Sequence, residues 1–473
     1  MSITTRGTRV ALLALALAAC GDDGGGSGPI DAGPDAGDAA LPPDAADDLV
    51  AVATVPAELN RALDLLLVID NSGSMGEEQQ SIAANLPQLI NVLNTAPGGL
   101  PDVHIGVVST NVGTGGVNIG GCSTATRPQG DDGNLLTSGC PGLTAAYVED
   151  LRSPDGSRAR NYSGDLATVL SCMTRLGTAG CGFEQPLESM KRALSPGRNP
   201  GFLRANALLG VLIVTDEDDC SAFDGGAMFG DPNGTISSPL GPRTSFRCFE
   251  FGVQCAGDTN PRAFGTKTGC VPRPASTYMP SVQPYVDFLR GLKADPKQVV
   301  VSTIAGNVDD QRTAVVGADP DDTTRPILQP SCQSASGIAA PALRLRTFLD
   351  GFPERNAAST ICNDNLADAL DVFGHLVRAA QGDACIQATL ADVDPAAPGI
   401  QVRCEVTQYT LVGGVRTDPV ALPACGAGGP PCWQLAADPT LCPTAPSNQA
   451  LEIVRPGPAP AGSVVEARCQ VEP

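Results

Sequence analysis

Two apolar runs constrain this chain more than anything else in it, because each ends abruptly on an aspartate. The first, Leu65 to Ile69, stops at Asp70 and passes straight into Asn71-Ser72-Gly73-Ser74-Met75. The second, Ala207 to Thr215, stops at Asp216. A short unbroken apolar run of this kind predicts a strand buried on both faces of a parallel sheet. After Met75, Ile82, Leu86, Leu89, Ile90 and Leu93 recur at three- and four-residue spacing, so a helix follows the first aspartate loop. Asp70, Ser72 and Ser74 therefore lie on a tight turn at a strand's carboxyl end, the edge on which open α/β sheets hold their ligands. Carboxylate and hydroxyl are hard oxygen donors, suited to Mg2+, Mn2+ or Ca2+ and not to zinc or copper.

This Asp-x-Ser-x-Ser loop, set between strand and helix, resembles the metal-ion-dependent adhesion site of von Willebrand factor type A domains. The resemblance covers Leu63 to Ala380. It implies an α/β fold with a mainly parallel, Rossmann-like central sheet and helices on both faces. It also implies a cation held by Asp70, Ser72, Ser74, a threonine and a second aspartate. The turn Gly177-Thr178, ahead of a helix carrying Leu187, Met190 and Leu194, makes Thr178 the threonine. Asp216 supplies the second aspartate. The family usually has glycine next; here Glu217, Asp218 and Asp219 follow, and such an acidic run reads as a solvated face. In the family the ion keeps one position open for an acidic side chain of a protein partner. With three neutral hydroxyls and only two carboxylates nearby, a divalent ion here retains the positive character to attract one.

The rest of this domain, 57–384, follows the same periodicities. Strands are expected at Asp102–Ser109 and Gln298–Ile304, and helices at Leu166–Leu176, Tyr285–Leu292, Ala342–Leu349 and Leu366–Ala380. Pro341 stands at a helix start, where proline is tolerated. Two stretches without clear periodicity, about 111–160 and 220–280, read as insertions, the first over the ligand edge and the second beside it. Beyond 385 the pattern alternates, as in Gln401–Leu411 and Ser463–Val471, predicting a small cysteine-rich β module.

At the amino terminus, Arg6 and Arg9 precede an apolar run, Val10 to Ala19, too short to span a bilayer. Its end, Leu17-Ala18-Ala19-Cys20, resembles the lipobox of bacterial lipoproteins, which implies removal of 1–19 and acylation of Cys20. The expected address is the outer membrane or cell surface, by lipid anchor. Residues 20–56 are rich in Asp, Gly, Ala and Pro and read as a disordered linker. Sixteen of the 17 cysteines remain for disulfides in an exported chain. Proximity suggests Cys122–Cys140, Cys172–Cys181 and Cys404–Cys469.

Net charge −21 excludes nucleic acid as a partner on electrostatic grounds. The only histidines are His104, in a strand, and His375, on the polar side of a helix. His104 could face either way and His375 is not catalytic material; a count of two disfavours zinc chemistry and Ser–His catalysis. The leading expectation is a non-enzymatic envelope lipoprotein that binds a divalent cation and, through it, a protein partner for adhesion or assembly. The alternatives are a metal-free envelope scaffold and a metal-dependent hydrolase built on Asp70, Asp216 and Asp218.

Overall fold

The computed structural model describes residues 50–56, 61–95 and 99–472, except 125, 154, 336, 354, 383–384, 387, 398–399, 413–414, 438–445 and 457–462. The signal segment, Cys20 and the linker up to 49 lie outside the described residues. Seven α-helices occur among them: α1 Gly76–Asn94, α2 Leu166–Met173, α3 Pro186–Leu194, α4 Phe246–Gly252, α5 Gln283–Gly291, α6 Leu343–Asp350 and α7 Ala367–Gly382. No helix among the described residues is long and apolar enough to cross a membrane.

A seven-stranded sheet runs in the order Asn356–Thr360, Val299–Ala305, Leu208–Val214, Ala62–Ile69, Asp102–Ser109, Val148–Arg152, Arg158–Arg160. The first five strands are parallel, and the last two add antiparallel at one edge. Side chains alternate across a strand, and the central strand uses both faces. Leu63, Leu65, Leu67 and Ile69 pack with residues of α1, α2 and α7. Leu66 and Val68 pack with residues of α3, α5 and α6. Helices on both faces explain why the run is apolar without interruption. Asp64 is the buried exception, and Arg204 pairs with it at 2.8 Å.

The insertions differ from expectation in part. The end of the first, Val148–Arg152 with Arg158–Arg160, is a hairpin that widens the sheet edge instead of covering its ligand side. Its beginning does reach that side, where Cys122 bonds Cys181. The second contains α4, tied to the Asp216 loop by Cys220–Cys248, and a strand, Gly265–Lys267, that joins Ala314–Ala318 and Pro326–Leu328. The edge strand Asn356–Thr360 was not expected. Its Asn-Ala-Ala-Ser-Thr sequence is only half buried and carries little apolar signal.

Two of the three expected disulfides are exchanged: the bonds are Cys122–Cys181 and Cys140–Cys172. Nearness in sequence misled because the chain folds back, bringing the two loops side by side. Cys404–Cys469 is as expected and joins neighbouring antiparallel strands. These strands belong to a four-stranded sheet in the order Val50–Pro56, Ser463–Gln470, Cys404–Val412, Val415–Leu422. The linker expected to run to 56 therefore gives up its last seven residues to the C-terminal module.

Candidate metal centre

The Asp70 backbone N–H donates to the Val214 carbonyl at 2.9 Å, so the ladder between the two central strands continues to the point where both chains turn away. Sheet order reverses across the strand that ends at Asp70, and such a switch point is where open α/β sheets form their ligand crevice. The two aspartate loops converge in it. Thr215 Oγ1 donates to Asp70 Oδ2 at 2.6 Å, and the Ser72 N–H donates to Asp70 Oδ1 at 2.7 Å. The Ser72 and Ser74 hydroxyls lie 3.2 Å apart, and Ser74 is near enough to Asp216 to favour its ionised form. Asp216 Oδ1 is buried and receives no donor. Asp70, Ser72, Ser74 and the Asp216 loop are thus brought together at one edge of the sheet.

Both aspartates resist ionisation in this setting. Burial pushes the Asp70 carboxyl up to about 7, against the opposing hydrogen bonds from Thr215 and Ser72. Burial, followed by the nearby Asp70 and Glu217 charges, pushes Asp216 up to about 8. Two enclosed carboxylates that repel one another when ionised, one of them with an oxygen that no donor meets, call for a positive charge between them.

Thr178 is placed differently. It is exposed, beside the start of α1, its methyl 3.8 Å from where a Cβ on Gly76 would stand. Its loop is well fastened. Gln79 donates from Nε2 to the Asp70 and Gly177 carbonyls at 2.8 and 2.9 Å, and accepts from the Gly177 N–H at 3.0 Å. The Gly180 N–H donates to the Asn71 carbonyl at 2.7 Å. A Cβ on Gly180 would stand 2.0 Å from Asn71 Oδ1, so only glycine allows these loops to touch.

The buried acid of that region is Glu184, six positions later. Only 1 % of it is exposed, and neither carboxylate oxygen has a donor. Its polar neighbour is the Glu217 carboxylate, which forms a hydrogen bond only if one of the two acids carries a proton. Burial first, and then the charges of Glu217, Asp70 and Asp216, raise the Glu184 carboxyl well above its ordinary value. Glu78, buried at the start of α1, is raised as well, chiefly by burial. The expectation of only two nearby carboxylates is corrected accordingly. The signal for Glu184 in the sequence is an acid between Phe183 and the Pro186-Leu187 start of a helix.

Asp218 and Asp219 are not a solvated face. Asp218 accepts from the Arg344 and Leu345 N–H groups at 2.8 and 3.1 Å, capping α6 from a distant loop. Asp219 is fully buried and holds the Arg344 guanidinium at 3.0 Å and the Leu187 N–H at 3.1 Å. Their carboxylates anchor α6 and α3 beneath the crevice, and Asp218 is engaged away from the Asp70 centre. His104 lies at the opposite end of its strand from the crevice, Nδ1 2.8 Å from the Phe202 carbonyl, and His375 is exposed.

Among the described residues no three His, Cys, Asp or Glu side chains are gathered closely enough to hold an ion by themselves. The converging donors are a mixture of carboxylate and hydroxyl oxygen, with undonated oxygens on Asp216 and Glu184. That set fits a hard divalent cation.

No protein-family model matches the chain, and no curated protein matches it either. Similar solved structures include the pilus adhesin RrgA from Streptococcus pneumoniae, at 10% identity and a TM-score of 0.27, over 89% of this chain and 58% of that one. Another is the adhesive tip pilin GBS104 from Group B Streptococcus agalactiae, at 12% identity and a TM-score of 0.27, over 89% and 81%. The chain spans little more than half the length of the first. Superposition this weak shows no shared function, and the site must be read from its own chemistry.

Proposed function

We propose that the chain is an exported, surface-anchored binding protein whose parallel-sheet domain is of the von Willebrand factor type A kind. Its crevice binds Mg2+, Mn2+ or Ca2+ through Asp70, Ser72, Ser74 and Asp216, and presents the ion to an acidic side chain of a protein partner. The observation that carries this reading is the meeting of the two aspartate loops. Thr215 bridges to Asp70 at 2.6 Å while Asp216, the next residue, keeps a buried oxygen without a donor. A bound ion supplies Lewis-acidic attraction for an incoming oxygen ligand. The chain's own part is to orient the donors: Thr215 and the Ser72 N–H fix both oxygens of Asp70, and Gln79 holds the loop to α1.

The reading is one of adhesion or assembly, with no chemical step. Disulfides throughout the domain support an oxidising, extracytoplasmic setting, in keeping with the lipid attachment implied at Cys20. The test is titration of the dialysed protein with Mg2+, Mn2+ and Ca2+, followed by calorimetry and thermal unfolding. Saturable binding that Asp70→Ala abolishes supports the proposal. Indifference to all three ions would falsify it.

A further inference from the structure

We infer that Glu184, and not Thr178, is the side chain that completes the cation centre; this rests on the reading just given. Thr178 is exposed on a loop whose backbone is occupied with Gln79. Glu184 is held where a ligand belongs. Its carbonyl accepts from the Cys220 N–H at 2.7 Å, and the N–H of the next residue, Gln185, donates to the Thr110 carbonyl at 3.0 Å. Thr110 follows the Asp102–Ser109 strand and Cys220 follows the Asp216 loop, so Glu184 is stitched across the carboxyl ends of the central strands. The Gln185 side chain braces it, donating to the Gly113 carbonyl at 2.7 Å and accepting from the Ala222 N–H at 3.0 Å.

A carboxylate this deeply enclosed, with both oxygens undonated, weakens a fold unless something positive meets it. The nearest side chain of opposite kind would have to be a Lys, Arg or His. Instead its surroundings include Glu217, Asp70 and Asp216. A cation shared with Asp70 and Asp216 satisfies all of these groups at once. The three carboxylates are not gathered to coordination distance in this structure, so ion binding requires these side chains to close on it.

One consequence concerns the partner. Asp70, Asp216 and Glu184 together outweigh a divalent ion by one negative charge. An outside carboxylate is then drawn less strongly than it would be by a centre of two carboxylates. Recognition must depend more on the loops around the crevice.

The test uses the full chain and Mn2+ alone, with bound ion measured by electron paramagnetic resonance and stability by thermal unfolding. Glu184→Gln keeps the shape and removes the charge. The expected result is at least a tenfold weaker Mn2+ dissociation constant for Glu184→Gln and a change within twofold for Thr178→Val. In metal-free buffer Glu184→Gln should unfold at the same temperature as the parent or higher, which separates loss of a ligand from loss of fold. Unchanged Mn2+ affinity in Glu184→Gln, or a large loss in Thr178→Val, overturns the inference while leaving cation binding intact. A parent that takes up no Mn2+ overturns the inference, and the proposed function falls with it only if Mg2+ and Ca2+ are refused as well.

Discussion

Metal-free, this protein should be stabilised by acid, because its buried aspartates are held from ionising freely. Asp70 and Asp216 both start from an ordinary value of 3.8 and are raised to about 7 and about 8, burial being the first cause in each. The native state therefore holds protons that the unfolded chain has released. Stability from these groups is fully present below the unfolded value and is lost as pH rises through about 7 and then about 8. A tenfold change in proton affinity corresponds to about 1.4 kcal/mol, so Asp216 alone is on the order of 6 kcal/mol and Asp70 on the order of 4 kcal/mol. The two repel each other and do not simply add, which makes ~6 kcal/mol the scale for the pair. The assay is urea unfolding of dialysed protein at several pH values between 5.5 and 9, beside Asp216→Asn. The parent should lose several kcal/mol across this window and the variant much less. Saturating Mg2+ should restore the parent at the alkaline end, by ~2.7 kcal/mol at a hundred times its dissociation constant. A parent whose stability is flat or rises with pH, with Asp216→Asn following the same curve, would refute the reasoning.

Three further outcomes are expected. Gly180→Ala drives a Cβ against Asn71 Oδ1 and its carbonyl, 2.0 and 2.5 Å away, and should push the loops apart. A stability loss of ~1–3 kcal/mol with weakened Mn2+ binding, read by calorimetry, is the expected result. Arg344→Leu strands the buried Asp219 carboxylate and should cost about 3–5 kcal/mol in denaturant unfolding. Removing residues 1–56 takes away the strand paired with Ser463–Gln470, whereas removing 1–48 does not. Limited proteolysis should then cut the 385–472 region much faster in the shorter chain, with Mn2+ affinity the same in both.

Much of this protein is determined by sequence-local physics. An apolar run is buried on both faces wherever helices cover both, so Leu65–Ile69 and Ala207–Thr215 announce parallel strands without reference to anything distant. The aspartate ending each run reports the ligand edge for the same reason. Helices α1, α3, α5, α6 and α7 are legible because their apolar positions repeat at a helical period. Asn356–Thr360 escaped because an edge strand buries too little to be patterned. The last residues of the linker escaped because a strand whose partner lies some four hundred residues away has no local signal of pairing.

Only the tertiary structure decided which polar groups act together. Glu184, Asp218 and Asp219 are the same kind of residue to a reader of the sequence, yet one is enclosed without a donor and two are spent on Arg344 and the start of α6. The exchange of partners between Cys122, Cys140, Cys172 and Cys181 has the same origin. Burial and charge neighbourhood belong to positions in space, and positions in space come from sheet order and loop closure. Residue type sets what a side chain is able to do; the surroundings folded around it settle which of those things it does.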